Sequence, residues 1–241
     1  MIIVRHGEIY TKSPPVRRQF IAKLTENIRL ALPSARVVSK RWRILVYPKN
    51  EDKAIEELGQ IFGIVSFSTC IETDARMPAI KKAAEKFLPQ IKGKTFAVRT
   101  QRLSKELIES QKINEIIGDF IRKKTKAKVD LSHPQKTLGI EIYDGKAYIF
   151  IDRYPGVGGL PSGTAGKMLL LKSKNSGLAV WMIRKRGIEV SSKVKNPLGV
   201  ITGEEDVAKL IKLKKKYELP IYAPLVGLNK KELEMLKKKV G

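Results

Sequence analysis

Two groups of residues in this chain have the types and spacing to act on phosphate. The first is Ser173-Lys174-Asn175-Ser176, set between an apolar run, Met168 to Leu171, and a stretch that reads as a helix. Strand, tight turn and helix in that order offer unpaired N–H groups and the positive end of a helix dipole, which together cradle phosphate. The turn holds two hydroxyls and a cation but no glycine and no acid. The frame of a nucleotide site is therefore present without the residues that would close on a nucleotide. The second group is cationic. Arg99, Arg102 and Lys105 follow directly on the strand pattern that begins at Thr95, and are expected on a loop. Lys123 and Lys124 stand with Arg122, Lys126 and Lys128 where a helix should end. Side chains of this kind hold nucleic-acid phosphates without reading sequence. A solvated surface would also account for them, and cations at a helix C-terminus answer the dipole as well.

Other chemistry finds no support. Gly166-Lys167-Met168 lacks the leading glycine and the hydroxyl of a phosphate-binding loop, and Gly156-Val157-Gly158-Gly159 lacks the third spaced glycine of a dinucleotide fingerprint. Glu204-Glu205-Asp206 suits a helix N-terminus better than a metal. One cysteine, Cys70, excludes an internal disulfide and a zinc cluster, and two histidines, His6 and His133, argue against a histidine metal site. No catalytic residue and no metal ligand is assigned. Bulk charge agrees with the cationic reading. In 241 residues, 48 Lys and Arg against 24 Asp and Glu give +24, which points to a polyanionic partner. No apolar run approaches the roughly 20 residues of a membrane span, and Met1 to Tyr10 lacks a secretory core. The expectation is a cytoplasmic protein that does not engage a membrane.

The elements that must position these residues follow from periodicity. Met1 to Val4 reads as a strand, and Ser13-Pro14 opens a helix with Val16, Phe20, Leu24 and Ile28 on one face. Ala35 to Ser39 and the alternating Trp42, Ile44 and Val46 read as two strands; Trp42, beside Lys40, Arg41 and Arg43, is placed either to stack a base or to pack in a core. A helix from Glu51 to Phe62, a strand from Ile64 to Ile71, and a helix from Pro78 to Leu88 come next. They are followed by the strand from Thr95, a helix from Gln111 to Lys124, and a strand from Lys126 to Leu131. A hairpin then turns at Asp144-Gly145. Cys70 falls inside a strand and reads as a small buried hydrophobe. After a glycine-rich connector, the chain alternates strand and helix to its last helix, Lys230 to Val240.

These residues resemble a known family. His6-Gly7-Glu8-Ile9, Lys12-Ser13 and Val16-Arg17 are similar to the opening of the ThiI-type tRNA sulfurtransferases. Lys94 to Arg99, Val129 to Pro134 and Gly158 to Thr164 resemble that family's THUMP domain. The resemblance implies α+β and α/β domains in series: ferredoxin-like (1–52), THUMP, RNA-binding (53–165), and a reduced, Rossmann-like PP-loop domain of the adenine nucleotide α hydrolase type (166–241). It implies binding of the tRNA acceptor end by the first two, and makes Lys12, Arg17 and Arg18 candidate RNA contacts beside Arg99, Arg102, Lys105, Lys123 and Lys124. In the family the third domain adenylates a tRNA uridine so that persulfide sulfur replaces oxygen, giving 4-thiouridine; the family name is also attached to thiamine biosynthesis.

The third domain departs from that pattern. The family's PP-loop reads S-G-G-x-D-S. Here Ser173 and Ser176 match the outer serines, with only Lys174-Asn175 between them. Both glycines and the acid are missing, so no cofactor is expected, ATP and Mg²⁺ entering only if this degenerate loop still binds them. Val200 to Glu204 and Leu219 to Leu225 resemble segments found much later in the family's domain, and its catalytic cysteine would fall beyond the last helix. Two functions stay open. One is a tRNA-binding protein without its own ATP-dependent thiolation. The other is a tRNA sulfurtransferase, acting alone or as one subunit of a split enzyme. The implied partners are tRNA, a second copy of the chain, and a separate protein supplying catalysis or sulfur.

Overall fold

The computed structural model of the chain describes residues 1–103 and 109–240. The elements are β1 (Ile2–His6), α1 (Pro14–Ala31), β2 (Arg36–Ser39), β3 (Ile44–Tyr47), α2 (Glu51–Gln60), β4 (Ile64–Thr69), β5 (Ile71–Asp74), α3 (Met77–Glu85), α4 (Leu88–Ile91), β6 (Thr95–Arg102), α5 (Ser110–Thr125), β7 (Lys128–Val129), β8 (Lys136–Tyr143), β9 (Lys146–Phe150), β10 (Tyr154–Pro155), β11 (Lys167–Leu171), α6 (Ser176–Arg184), β12 (Glu189–Ser191), β13 (Val200–Thr202), α7 (Val207–Lys216), β14 (Ile221–Tyr222) and α8 (Lys230–Val240). They fall into two compact units. One is made of residues 1–5, 34–52 and 66–155, the other of 6–33, 53–65 and 156–241.

The first sheet runs β10-β4-β1-β3-β2. The β-branched run Ile2-Ile3-Val4 favours an extended chain, and pairs antiparallel with Val46, Leu45 and Ile44 of β3. The chain order β1-α1-β2-β3-α2-β4 and the sheet order β4-β1-β3-β2 are those of a ferredoxin-like fold. Two of its strands, β4 and β10, lie past residue 52. Sequence alternation placed Trp42, Ile44 and Val46 on one face. Instead the strand starts at Ile44, and Ile44, Leu45 and Val46 are all buried, as in a strand covered on both faces. In α1, burial concentrates on Leu24, Thr25 and Ile28, while Val16 and Phe20 are half-buried. Ser13 occupies the N-cap, yet its hydroxyl makes no capping bond.

The second sheet runs β5-β9-β8-β6-β7. β6 lies parallel to β8, and β8 turns into β9 through Asp144 and Gly145 at φ +51° and +69°. Positive φ at both central residues is what a type I′ turn requires. Ile80 and Ala84 of α3 and Ile113, Ile117 and Ile121 of α5 close one core over Phe96, Val98, Leu138, Ile140 and Ile149. The opposite face meets the first sheet: Ile3 and Leu45 share a core with Tyr143, Tyr148 and Phe150, and Trp42 packs against it. Of the two roles open to Trp42, packing is the one the fold uses. The strand expected from Ile64 to Ile71 divides at Cys70, giving β4 to the first sheet and β5 to the second. The strand expected from Lys126 to Leu131 shrinks to Lys128–Val129. Asp130 accepts the N–H groups of Ser132 and His133, an Asx turn that ends extended pairing.

In the other unit, β12-β11-β13-β14 form a wholly parallel sheet. Met168, Val190 and Ile201 share its core with Leu178 and Ala179 of α6 and Leu233 of α8. The glycine-rich connector is pinned. Gly158 N–H donates to the Ile64 carbonyl at 2.8 Å, and Asn27 Nδ2 donates to the Ser162 carbonyl at 3.0 Å. A side chain on Gly156 would strike the Ile64 carbonyl. Among the described residues, no helix is long and apolar enough to cross a membrane.

Candidate nucleic-acid interface and phosphate loop

Arg99 and Arg102 were expected on a loop. They belong to β6, which continues to Arg102. Three residues apart on one strand, they point to opposite faces. Arg99 is exposed and donates from Nη2 to the Leu131 carbonyl at 2.8 Å; Arg102 is half-buried. Lys105 lies outside the described residues. The outer edge of β6 pairs with β7 only at Thr95 and Phe96. Beyond that, a groove of about 660 Å³ separates the strand from α5, lined by Phe96, Val98, Arg99, Thr100 and Asn114. Val129 and Leu131 are exposed on its rim. Nothing in the sequence pattern signalled this edge, because a six-residue strand was expected where β7 has two residues.

Lys123 and Lys124 are exposed in the last turn of α5. Lys123 pairs with Asp119 at 2.7 Å and Arg122 does so at 2.8 Å. These bonds, led by that from Lys123, hold the Asp119 carboxyl below its usual range. Lys124 has no carboxylate partner among the described residues. Lys128 stands opposite Thr95 in register, so α5 ends beside the start of β6. Arg102 lies seven residues further on, roughly 23 Å along the strand at 3.3 Å per residue. Arg102 therefore sits at the far end of β6 from Lys123 and Lys124, whereas Arg99, in mid-strand, lines the groove together with Arg122.

Lys12, Arg17 and Arg18 share a short segment of the other unit. A single 3-10 turn, Glu8–Thr11, ends at Lys12. Arg17 is half-buried, and its Nη2 donates to the Tyr10 carbonyl at 2.9 Å and the Lys12 carbonyl at 3.2 Å. Arg17 thus holds the turn in place, while Arg18 faces outward.

The turn Ser173-Lys174-Asn175-Ser176 does connect β11 to α6. The side chains of Ser173, Asn175 and Ser176 are occupied locally. Ser173 N–H donates to Ser176 Oγ at 2.6 Å, and Ser176 Oγ donates to the Ser173 carbonyl at 2.9 Å. Ser173 Oγ accepts from Gly203 N–H at 2.9 Å, and Asn175 Nδ2 donates to Glu205. Glu204, Glu205 and Asp206 flank the pocket beside Lys174. Gly203 touches the Asn175 carbonyl so closely that any side chain would collide with it. Asp206 caps α7 by accepting from Ala208 N–H at 2.8 Å and Lys209 N–H at 3.4 Å, which bears out its reading as a helix-start residue.

Sequence reasoning missed the most buried charges. Glu141 of β8 accepts from Arg5 Nε at 2.5 Å and from Arg43 Nε at 2.6 Å. Ser68 Oγ accepts from Arg5 Nη1 at 3.0 Å, and Arg5 lies over the Phe150 ring at 4.6 Å. All three ionised groups are at most 5% exposed. Arg43, grouped with surface cations by its neighbours in sequence, is unavailable to RNA. Burial draws Arg5 below its ordinary value, and Glu141 opposes that shift. Cys70 is also buried, and desolvation pushes its thiol up to about 12. The thiol should therefore resist alkylation at pH 8 in the native protein and react within minutes once denaturant is added. Rapid modification of the folded chain, followed by mass spectrometry, would contradict this.

Comparison with known proteins matches two domains within the chain. The ThiI ferredoxin-like domain matches residues 1–68 and the THUMP domain residues 74–152. A probable tRNA sulfurtransferase of Thermococcus kodakarensis is 35% identical across 100% of this chain and 66% of its own length. Its counterpart in Methanothermobacter thermautotrophicus is 33% identical over 90% of the chain and 57% of its own length. The chain thus spans between half and two-thirds of these relatives. The crystal structure of PH1313 from Pyrococcus horikoshii superposes with a TM-score of 0.87 at 29% identity, covering 100% of this chain and 99% of that one. A 4-thiouridine synthetase crystallised with RNA and ATP superposes with a TM-score of 0.66 at 29% identity, over 88% of this chain and 56% of that one. A ferredoxin-like domain of the ThiI kind, a THUMP domain after it, and a sulfurtransferase relative aligned with all of this chain make it a homologue of the ThiI-type tRNA sulfurtransferases.

Proposed function

We propose that the chain binds tRNA through its ferredoxin-like and THUMP domains and does not itself carry out ATP-dependent thiolation. The observation that carries this reading is the state of the loop between β11 and α6. Its hydroxyls and the Ser173 N–H are spent within the turn and on Gly203, and Asn175 is tied to a carboxylate. The turn itself contributes no glycine N–H, and Gly177 stands inside α6. Binding is supported by outward-facing Arg18, Arg99 and Lys124, and by the likeness to a 4-thiouridine synthetase crystallised with RNA. A cytoplasmic location and a second copy of the chain as partner accompany this proposal.

A second reading is a tRNA sulfurtransferase that makes 4-thiouridine, alone or with a separate subunit that supplies the nucleotide site and the thiol. The names of the relatives and the ATP in the related crystal favour it. One assay separates the two. The pure protein is mixed with tRNA, ATP, Mg²⁺ and a persulfide donor, and retained tRNA, AMP and thiolated nucleoside are measured. Retained tRNA with neither product is the expected result. AMP and thiouridine would establish the second reading, and failure to retain tRNA would sink the first.

A further inference from the structure

The outer edge of β6 is only partly paired. On that side the Phe96 carbonyl accepts the Asp130 N–H, which ends the short ladder to β7. Backbone groups alternate sides along a strand, so Val98 and Thr100 turn their N–H and C=O groups to the same edge as Phe96. The residues between them face β8, as Leu103 does when its N–H donates to the Ile142 carbonyl at 2.9 Å. Among the described residues, no backbone group meets Val98 or Thr100 on the outer edge. A row of unpaired donors and acceptors is a template for a further strand.

The groove of about 660 Å³ between β6 and α5 runs beside this edge. Its apolar lining is Phe96, Val98, Val129 and Leu131, of which the last two are 50% and 68% exposed. Thr100 Oγ1 and Asn114 Oδ1 are buried in its walls with no hydrogen-bond partner. An amide oxygen only accepts, so the Asn114 oxygen calls for a donor. The charge around the groove is unbalanced. Arg99, Arg122, Lys123, Lys124, Lys126 and Lys128 are exposed along it or at its β7 end. The carboxylates there are Glu115, Asp119 and Asp130, and each is engaged. Glu115 accepts from Gln111, Asp119 from Arg122 and Lys123, and Asp130 from two backbone N–H groups. Lys124, Lys126 and Lys128 have no carboxylate partner among the described residues.

We propose that this edge takes an extended acidic peptide of a partner protein as an added strand, its apolar side chains in the groove and its carboxylates among the cations. A polypeptide offers donors and acceptors in alternation at strand spacing, which is what Val98 and Thr100 lack. Nucleic-acid phosphates only accept, and leave the two C=O groups and the Asn114 oxygen unmet. A second copy of this chain would bring one cationic edge against another, and the two would repel. The proposal goes beyond the tRNA reading and does not rest on it.

The test uses the full chain and a labelled peptide of about eight residues alternating valine and aspartate, long enough to span the open part of β6. Binding is read by fluorescence anisotropy and by amide hydrogen exchange. The peptide should bind and slow exchange of the Val98 and Thr100 amides by about tenfold or more. The same peptide with its backbone N-methylated keeps every side chain but donates nothing, and should bind roughly tenfold more weakly. Gly118 of α5 lines the groove and has open space where a side chain would stand. Gly118→Gln should therefore obstruct the groove and cut peptide affinity about tenfold, while keeping or raising Tm, since glutamine suits a helix better than glycine. Arg99→Glu, at an exposed position, should weaken the acidic peptide as well. No binding, equal binding of the two peptides, or protection confined to other amides overturns the proposal. A single-stranded oligoribonucleotide that binds the parent and loses affinity in Gly118→Gln, where the peptide does not bind, assigns the groove to RNA and also overturns it. Retention of tRNA by the parent chain is measured alongside, and its failure would sink the tRNA reading alone.

Discussion

Glu141→Ala is expected to destabilise the fold by about 3–5 kcal/mol, because it strands two buried arginines without their counter-charge. The corresponding fall in Tm is roughly 6–20 °C for a chain of this size. The carboxylate is held by both Nε groups at 2.5 and 2.6 Å and has almost no access to water. Removing it leaves Arg5 and Arg43 repelling each other in a low-dielectric core. The prediction has a second half. Replacing all three with apolar residues of similar volume, as in Arg5→Met, Arg43→Met, Glu141→Leu, should recover most of the loss, since paired buried charges contribute little beyond their desolvation. A single variant that melts within a degree or two of the parent would show that water reaches the triad.

Affinity for tRNA should fall steeply with salt. Phosphate contacts release condensed counterions, so about six of them cost on the order of a thousandfold between 50 and 200 mM salt. Arg18→Ala, Arg99→Ala and Lys124→Ala, all at exposed positions, should each lower the slope of log K against log salt by about one. Arg17→Ala should weaken binding differently. Its guanidinium holds the 3-10 turn through the Tyr10 and Lys12 carbonyls, so its loss should also increase protease cleavage near residues 8–12. A flat salt series by filter binding, or three surface variants indistinguishable from the parent, would refute phosphate contact at these positions.

Much of the fold was legible because local chemistry and tertiary context agree. The Asp144-Gly145 turn, the apolar face of α5 and the cap at Asp206 each need only neighbours in sequence. The failures have one physical source, since each depends on a partner far along the chain. Arg43 looks like a surface cation until Glu141, 98 residues away, is brought beside it. Trp42, Ile44 and Val46 alternate on paper, whereas Ile44, Leu45 and Val46 are buried in succession in space. The Ser173 turn could be read as short of glycine. That Ser173 Oγ accepts from Gly203 N–H and Asn175 donates to Glu205 could not, because both partners lie 30 residues further along the chain.

The order of strands in the first sheet has a bearing on synthesis. β4 lies between β1 and β10, and Phe67 of β4 stacks on Tyr154 of β10 at 5.4 Å. Everything from Cys70 to Arg153 therefore leaves and re-enters that sheet at a single place, as an inserted cassette with its ends clipped together. At about 5–20 residues per second on the ribosome, the far edge of β4 waits some 4–17 s for its partner to emerge. During that interval the nascent ferredoxin-like sheet has a free rim, and folding of the cassette is what brings the closing strand home.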